Sequence, residues 1–142
     1  MDPISELLER LSSLDPPVTV LEPEDALKPN QYSPPGADGR PQVGKQGLSY
    51  WLEAHPTGYV QLYEATPIFS DGLLDTELYV IDALGSSREV VRNLAARVRR
   101  ALGDPIRDGS GWQHFDTQAI PLERGAYRVQ MRFQFVQAFQ FN

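Results

Sequence analysis

The sequence contains no cysteine, so disulfide bonds and thiolate metal sites are excluded. It has only two histidines, His55 and His114, in 142 residues, which leaves little imidazole for metal binding or acid–base chemistry. No apolar run approaches the roughly 20 residues that a membrane-spanning helix needs. The first residues have neither a basic stretch nor an apolar core, so we expect no secretion signal and no membrane contact.

Lysine is absent from the second half of the chain, and the formal net charge is −6. Residues 1–71 hold eleven Asp and Glu against four Lys and Arg, whereas residues 72–142 hold nine Arg against eight Asp and Glu. An acidic chain argues against nucleic-acid binding by its whole surface, although a local arginine cluster remains possible. The net negative charge therefore comes from the first half of the chain.

The sequence motifs of common enzyme classes are absent, including the phosphate-binding, dinucleotide-binding, zinc-protease and nucleophile-elbow patterns. His114 and Asp116 stand two residues apart in a predicted strand, which would place them on one face. Two such groups do not complete a metal site, which needs three or four ligands. We therefore expect no enzyme activity, no catalytic residue, no metal and no cofactor, and we keep an enzyme that uses His114 and Asp116 as a minor alternative.

Two segments have the apolar spacing of amphipathic helices. The first spans residues 4–14. In the second, Ser86 is predicted as the N-cap with Glu89 reaching back to it, and Gly103 is predicted to end the helix. The predicted buried stripe of this second helix consists of Val91, Leu94, Ala95, Val98 and Leu102.

The chain is predicted to form a single domain over residues 1–142, in which residues 23–47 are a Pro- and Gly-rich arm or loop. Strands are predicted at 59–65, 75–83 and 112–120 and in the last residues, with a short strand at 18–21, a strand or packed turn at 48–52 and a turn at Pro67. The expected fold is α+β, with two helices packed on a mostly antiparallel sheet in the order helix, strand, strand, helix, strand, strand.

The run from Gly125 to Phe141 alternates apolar and polar residues and is predicted to be one long strand. At about 3.3 Å per residue it would extend about 55 Å, whereas a typical strand spans under about 20 Å. We therefore expect another molecule to bury the excess apolar face. Residues 127–133 are predicted to lie in the domain core, and Phe135, Phe139 and Phe141 are predicted to lie at a subunit contact.

Arg88, Arg92 and Arg99 share one face of the second helix at positions i, i+4 and i+11. Such a face is either solvated or paired with an acidic partner, for which the acidic first half of a neighbouring copy is a candidate. These three arginines join the three phenylalanines as predicted subunit-interface residues. Arg128 and Arg132, which alternate with glutamines, suit a hydrated or lumen-facing sheet face and an exposed face equally well.

The unit from Leu78 to Gly103 resembles the tail terminator proteins of long-tailed bacteriophages and of related prophage and gene-transfer particles. In it Tyr79-Val80-Ile81-Asp82-Ala83 leads into Ser86 and Arg88-Glu89-Val90-Val91. The resemblance is architectural, covers residues 4–14 and 59–139, and includes the closing hairpin.

The resemblance implies a hexameric ring in the neck of a virion, assembled in the host cytoplasm. The ring caps the tail tube, stops its polymerisation and joins the tail to the head. The implied partners are further copies of the chain, the tail tube protein and the head–tail connector, with DNA only passing through the lumen. Two alternatives stay open: another neck, tail-completion or minor tail protein of such a particle, and a small bacterial α+β binding domain unrelated to phages.

Overall fold

The computed structural model describes residues 3–70, 74–103, 112–122 and 125–138. Over these residues the chain has an α+β fold with four helices and a six-stranded, mostly antiparallel sheet, which confirms the predicted class. The elements in chain order are α1 (Pro3–Ser12), β1 (Thr19–Leu21), a 3₁₀ turn (Pro23–Asp25), α2 (Lys28–Gln31), α3 (Leu48–Ala54), β2 (Tyr59–Leu62), β3 (Thr66–Ser70), β4 (Leu74–Gly85), α4 (Arg88–Leu102), β5 (Trp112–Pro121) and β6 (Tyr127–Ala138).

The strand order across the sheet is β1-β2-β4-β6-β5, and β3 pairs with β4 next to β2. Only β1 and β2 are parallel; the other pairs are antiparallel. The short β1 and the longer β5 therefore form the two opposite edges. Within the described ranges, no helix has the length and apolar character needed to cross a membrane.

The described length of β6 is paired within the subunit. Its register with β4 runs from Leu74 opposite Ala138 to Gly85 opposite Tyr127, and β5 pairs with its other side. The expectation that another molecule must bury the excess apolar face is wrong from Met131 to Phe135, because Met131, Phe133 and Phe135 are buried within this chain; β4 is as long as β6, at 12 residues each. The predicted alternation is confirmed from Met131 to Phe135, since Met131, Phe133 and Phe135 are buried whereas Arg132 and Gln134 are only partly buried.

The helix face of the sheet carries the main core. α4 packs on it with all five residues of the predicted stripe buried, and Leu7 and Leu11 of α1 complete the core beside them. The helix begins one residue later than predicted: the Ser87 hydroxyl, not that of Ser86, accepts a 3.2 Å hydrogen bond from the Val90 amide. Gly103 ends α4 with a φ of 78°, as its position predicted.

The second face of the sheet is covered at one end by α3. The expectation of a strand or turn at residues 48–52 is wrong, because Trp51 and Leu52 are buried from a helix. Trp51 stacks on His55 at 4.1 Å between ring centroids and meets Tyr32 and Tyr59 edge-on. This aromatic cluster stabilises a helix of only 7 residues that would be marginal in isolation.

The two ends of the segment from residue 23 to residue 47 are held to the domain, and most residues between them are exposed. The 3₁₀ turn and α2 lie at its start, and the Gly47 amide donates a 2.9 Å hydrogen bond to the Tyr32 carbonyl near its end. Between them the chain projects outward, and Val43 is fully exposed. Pro67, predicted to lie in a turn, is instead part of β3.

Candidate subunit interface

The arginines of α4 differ in what they contact. Arg97 donates a hydrogen bond to the carbonyl of Pro16 and so connects α4 to the segment after α1. Arg88, Arg92 and Arg99 are exposed, and no carboxylate in the described part of the chain lies within ion-pair distance of them. These three cations are therefore available to a partner.

The three predicted interface arginines lie on the side of α4 that faces β5. Arg88 and Arg92 border one cleft between α4 and the β5–β6 hairpin, and Arg99 borders a second cleft next to His114. In the described residues, β5 has no strand on its outer side. The structure thus brings Arg88 and Arg92 together and places Arg99 further along the same side of the helix, beside an open sheet edge that can accept another chain.

We name the first cleft the arginine groove; it has a volume of about 470 Å³. Its apolar lining comes from α4 and from the β5–β6 hairpin and includes Val91, Ala119 and Val129. Tyr127 also lines it and is 37% exposed. A groove with apolar walls and two guanidinium groups suits an acidic segment that carries an apolar side chain.

The local sequence explains how the groove forms. The Ser87 cap starts α4 two residues after β4 ends, so Arg88 lies on the first turn of the helix. Pairing of Pro121 with Tyr127 closes the β5–β6 hairpin, and Gly125 adopts a φ of 81° in its turn. The helix start and the hairpin end therefore lie side by side.

Phe135, one of the three predicted interface phenylalanines, belongs to the core of the domain. It is 9% exposed, and its ring centroid lies 4.5 Å from that of Trp112. Trp112 in turn meets Tyr79 edge-on at 5.0 Å. Phe135 therefore leaves little surface for a neighbouring copy, and its main contribution is to the fold. Phe139 and Phe141 lie outside the described residues.

His114 and Asp116 do not share a face, so the expectation from their spacing is wrong. A β-bulge between them pairs His114 with Phe133 and Asp116 with Arg132, and these partners alternate on β6. Burial and the nearby Arg99 lower the pKa of His114, whose Nε2 lies 2.6 Å from the Thr117 hydroxyl. In the described residues no group of three or more His, Cys, Asp or Glu is placed to hold a metal ion.

A buried carboxylate, Asp82, organises the second face of the sheet. It accepts hydrogen bonds from the Tyr63 hydroxyl at 2.7 Å and from Gln130 Nε2 at 3.0 Å, and Arg128 Nη1 lies 3.6 Å away. Burial raises the pKa of Asp82, an effect that these three partners oppose. The predicted strand at 75–83 includes Asp82, but sequence reasoning missed the network; an acid within an apolar strand was the available signal.

The arginines of this second face are already neutralised. Arg128 is paired with Asp82, and Arg132 donates two hydrogen bonds to the carboxylate of Asp116. The hydrogen bonds from Arg132 lower the pKa of Asp116 below its ordinary value. This face is therefore polar with little free charge, in contrast to the exposed arginines of α4.

The β1 edge of the sheet carries three carboxylates and a net negative charge. Glu22, Glu24 and Asp25 follow β1 directly, and repulsion from Glu24 is the largest cause of a raised pKa at Glu22. Lys28, at 3.1 Å from Asp25, is the one cation with an ion pair to this group among the described residues. Leu27, in the same segment, is 64% exposed.

Comparison of the sequence with models of known protein families gave no match, and a search of curated proteins gave none. The described residues form an α+β domain with an arginine-bearing edge and an acidic edge.

Proposed function

We propose that this chain is a structural assembly protein that forms a ring by head-to-tail contact of its copies. The observation that carries the proposal is the distribution of charge over the two sheet edges. Among the described residues, Arg88, Arg92 and Arg99 have no acidic partner beside β5, while Glu22 and Glu24 lie close together after β1. Surfaces that complement each other from opposite sides of one subunit make a heterologous contact, which closes into a ring or continues as a filament.

The particular ring that we propose is the hexameric tail terminator of a phage-like particle. It caps the tail tube, stops its polymerisation and joins the tail to the head connector. Support comes from the architectural resemblance of the strand–helix unit, which corresponds to β4 and α4. The proposed location is the neck of the virion, and the proposed partners are the tube protein and the connector protein.

The second face of the sheet has the properties expected of the wall of a lumen through which DNA passes without binding tightly. Arg128 and Arg132 are each paired with a carboxylate of the same copy; partly buried Gln130 lies between them on β6, and Gln134, also partly buried, follows Arg132. Tight binding to DNA requires several free cations near the phosphates. A surface with internally neutralised arginines offers few of them, which suits a channel wall.

Deletion of the gene from the genome that encodes the phage-like particle tests whether the chain terminates the tail tube. We expect tails of uncontrolled, excessive length that fail to join heads, and we expect the wild-type gene supplied in trans to restore both properties. Electron microscopy of lysates measures tail length and head attachment directly. Tails of normal length that remain joined to heads after deletion would refute the terminator role.

A further inference from the structure

We propose that the arginine groove binds the acidic segment Pro23–Leu27 of a second copy of this chain. This inference rests on the proposed self-assembly and adds which two surfaces meet. The groove supplies Arg88, Arg92 and an apolar lining. The segment supplies carboxylates and an exposed leucine.

The groove has the properties of a site that binds a short peptide segment. Its volume of about 470 Å³ lies within the range of about 300–1,000 Å³ that is usual for binding pockets. Val91 at its base is buried, whereas the arginines that border it are exposed. The Arg88 guanidinium lies 5.7 Å from the centroid of the Tyr127 ring, so one cation is already positioned beside the apolar lining.

The segment has the complementary properties. Glu24 is exposed, Asp25 is partly buried next to Lys28, and Leu27 exposes 64% of its surface although it is a large aliphatic residue. The 3₁₀ turn from Pro23 to Asp25 fixes the backbone, so little conformational entropy is lost when the segment binds. Arg88 and Arg92 would relieve the repulsion among the carboxylates, and Leu27 would cover the apolar lining.

The two surfaces cannot meet within one subunit. The groove is built on β5 and α4, and the segment follows β1 at the other end of the strand order. Four strand spacings separate the two edges, or about 19 Å. The contact therefore joins different copies and uses different patches on each, which is the geometry of ring closure.

Charge reversal in the full-length chain tests the proposal. The groove variant is Arg88→Glu with Arg92→Glu, and the segment variant is Glu24→Arg with Asp25→Arg. We expect each variant alone to associate about a hundredfold more weakly than wild type, since like charges then face each other. An equimolar mixture is expected to regain assembly, because the reversed groove of one variant then faces the reversed segment of the other.

Two controls separate the contact from general effects of charge and folding. Arg100→Glu reverses an exposed arginine of α4 that does not line the groove, and Val43→Ala changes an exposed apolar residue outside the segment. Both are expected to assemble like wild type. Circular dichroism and thermal unfolding should show native folding for every variant, because the changed side chains are exposed except for that of Asp25, which is partly buried.

The outcomes distinguish this contact from the broader proposal. If the wild-type chain assembles but the mixture stays dissociated, the proposed groove–segment contact is wrong, whereas the proposal that the chain forms a ring still stands. If the groove variant loses assembly but the segment variant does not, the groove binds something other than the segment and this inference is wrong. Truncation after Ala138 then tests whether the last four residues occupy the groove. If the groove variant assembles normally but loses binding to a labelled DNA duplex, the groove binds nucleic acid and this inference is wrong.

Discussion

Arg88 and Tyr127 form a cation–π contact across the arginine groove, with the guanidinium carbon 5.7 Å from the ring centroid. The two residues come from different elements, the first turn of α4 and the first position of β6. The contact orders a long side chain before any partner arrives, so less entropy is lost on association.

Replacing Tyr127 with Leu should separate association from folding. The free energy of unfolding should fall by less than about 1 kcal/mol, because an exposed cation–π contact contributes about 0.5–1 kcal/mol. The association constant should fall several-fold, since Arg88 is no longer held over the groove. Chemical unfolding and light scattering measure the two quantities. Tyr127→Phe keeps the ring and is the control; association of Tyr127→Leu at the wild-type level would contradict the assigned role.

Phe135→Ala should act on the fold rather than on assembly. Removing a buried aromatic ring that packs on Trp112 is expected to lower the free energy of unfolding by about 3–5 kcal/mol. Arg92→Ala, at an exposed position, should change it by no more than about 0.5 kcal/mol. Urea denaturation compares the two variants. Unchanged stability of Phe135→Ala together with failed assembly would instead return this residue to the subunit contact.

Gly58→Ala should be more destabilising than Gly125→Ala. Both glycines have positive φ values, 84° and 81°, so both substitutions carry a backbone cost of about 1–2 kcal/mol. A Cβ at Gly58 would lie 2.6 Å from the Leu84 carbonyl oxygen, whereas one at Gly125 meets nothing within 4 Å. The difference in thermal unfolding midpoint isolates the steric clash, and equal midpoints would show that β2 and β4 can move apart there.

Tyr63→Phe should destabilise the subunit in a pH-dependent way. At neutral pH the loss of the hydrogen bond to buried Asp82 should cost about 1–3 kcal/mol. Burial raises the native pKa of Asp82 above its unfolded value, so the native state takes up a proton first as the pH falls. The stability that this group contributes is fully present below the unfolded pKa and is lost as the pH rises through the native pKa.

The cost of Tyr63→Phe should therefore shrink as the pH is lowered and Asp82 becomes neutral. Urea denaturation at neutral pH and in the acidic range measures this change. Tyr50→Phe, at a partly buried tyrosine with no hydrogen bond in the described structure, serves as the control. An equal cost at both pH values would mean that the hydroxyl does not act through the charge of Asp82.

The strongly periodic segments were predicted well because local pattern and burial coincide there. The stripe of α4 and the alternation of β6 follow directly from which residues face the core. Residues 48–52 were misassigned because a short apolar, aromatic run has no decisive period; contacts of Trp51 with distant Tyr32 and Tyr59 stabilise the helix. Pro67 concealed β3, where it is tolerated next to a bulge in a strand paired with β4.

The candidate site was only partly predictable. Helical spacing placed Arg88, Arg92 and Arg99 on one side of α4, but the groove also requires the β5–β6 hairpin, whose position depends on the sheet order. The bulge that separates His114 from Asp116 leaves no mark in the sequence, because one inserted residue reverses the faces that follow it.

The mass of the wild-type chain in solution shows whether its copies assemble into a ring. Light scattering over a wide range of concentrations, combined with negative-stain electron microscopy, measures both the copy number and the shape of the assembly. We expect a closed hexameric ring that forms at high concentration and dissociates in strong salt, because arginine–carboxylate pairs contribute to the proposed contact. A chain that stays monomeric or dimeric at every concentration would contradict it.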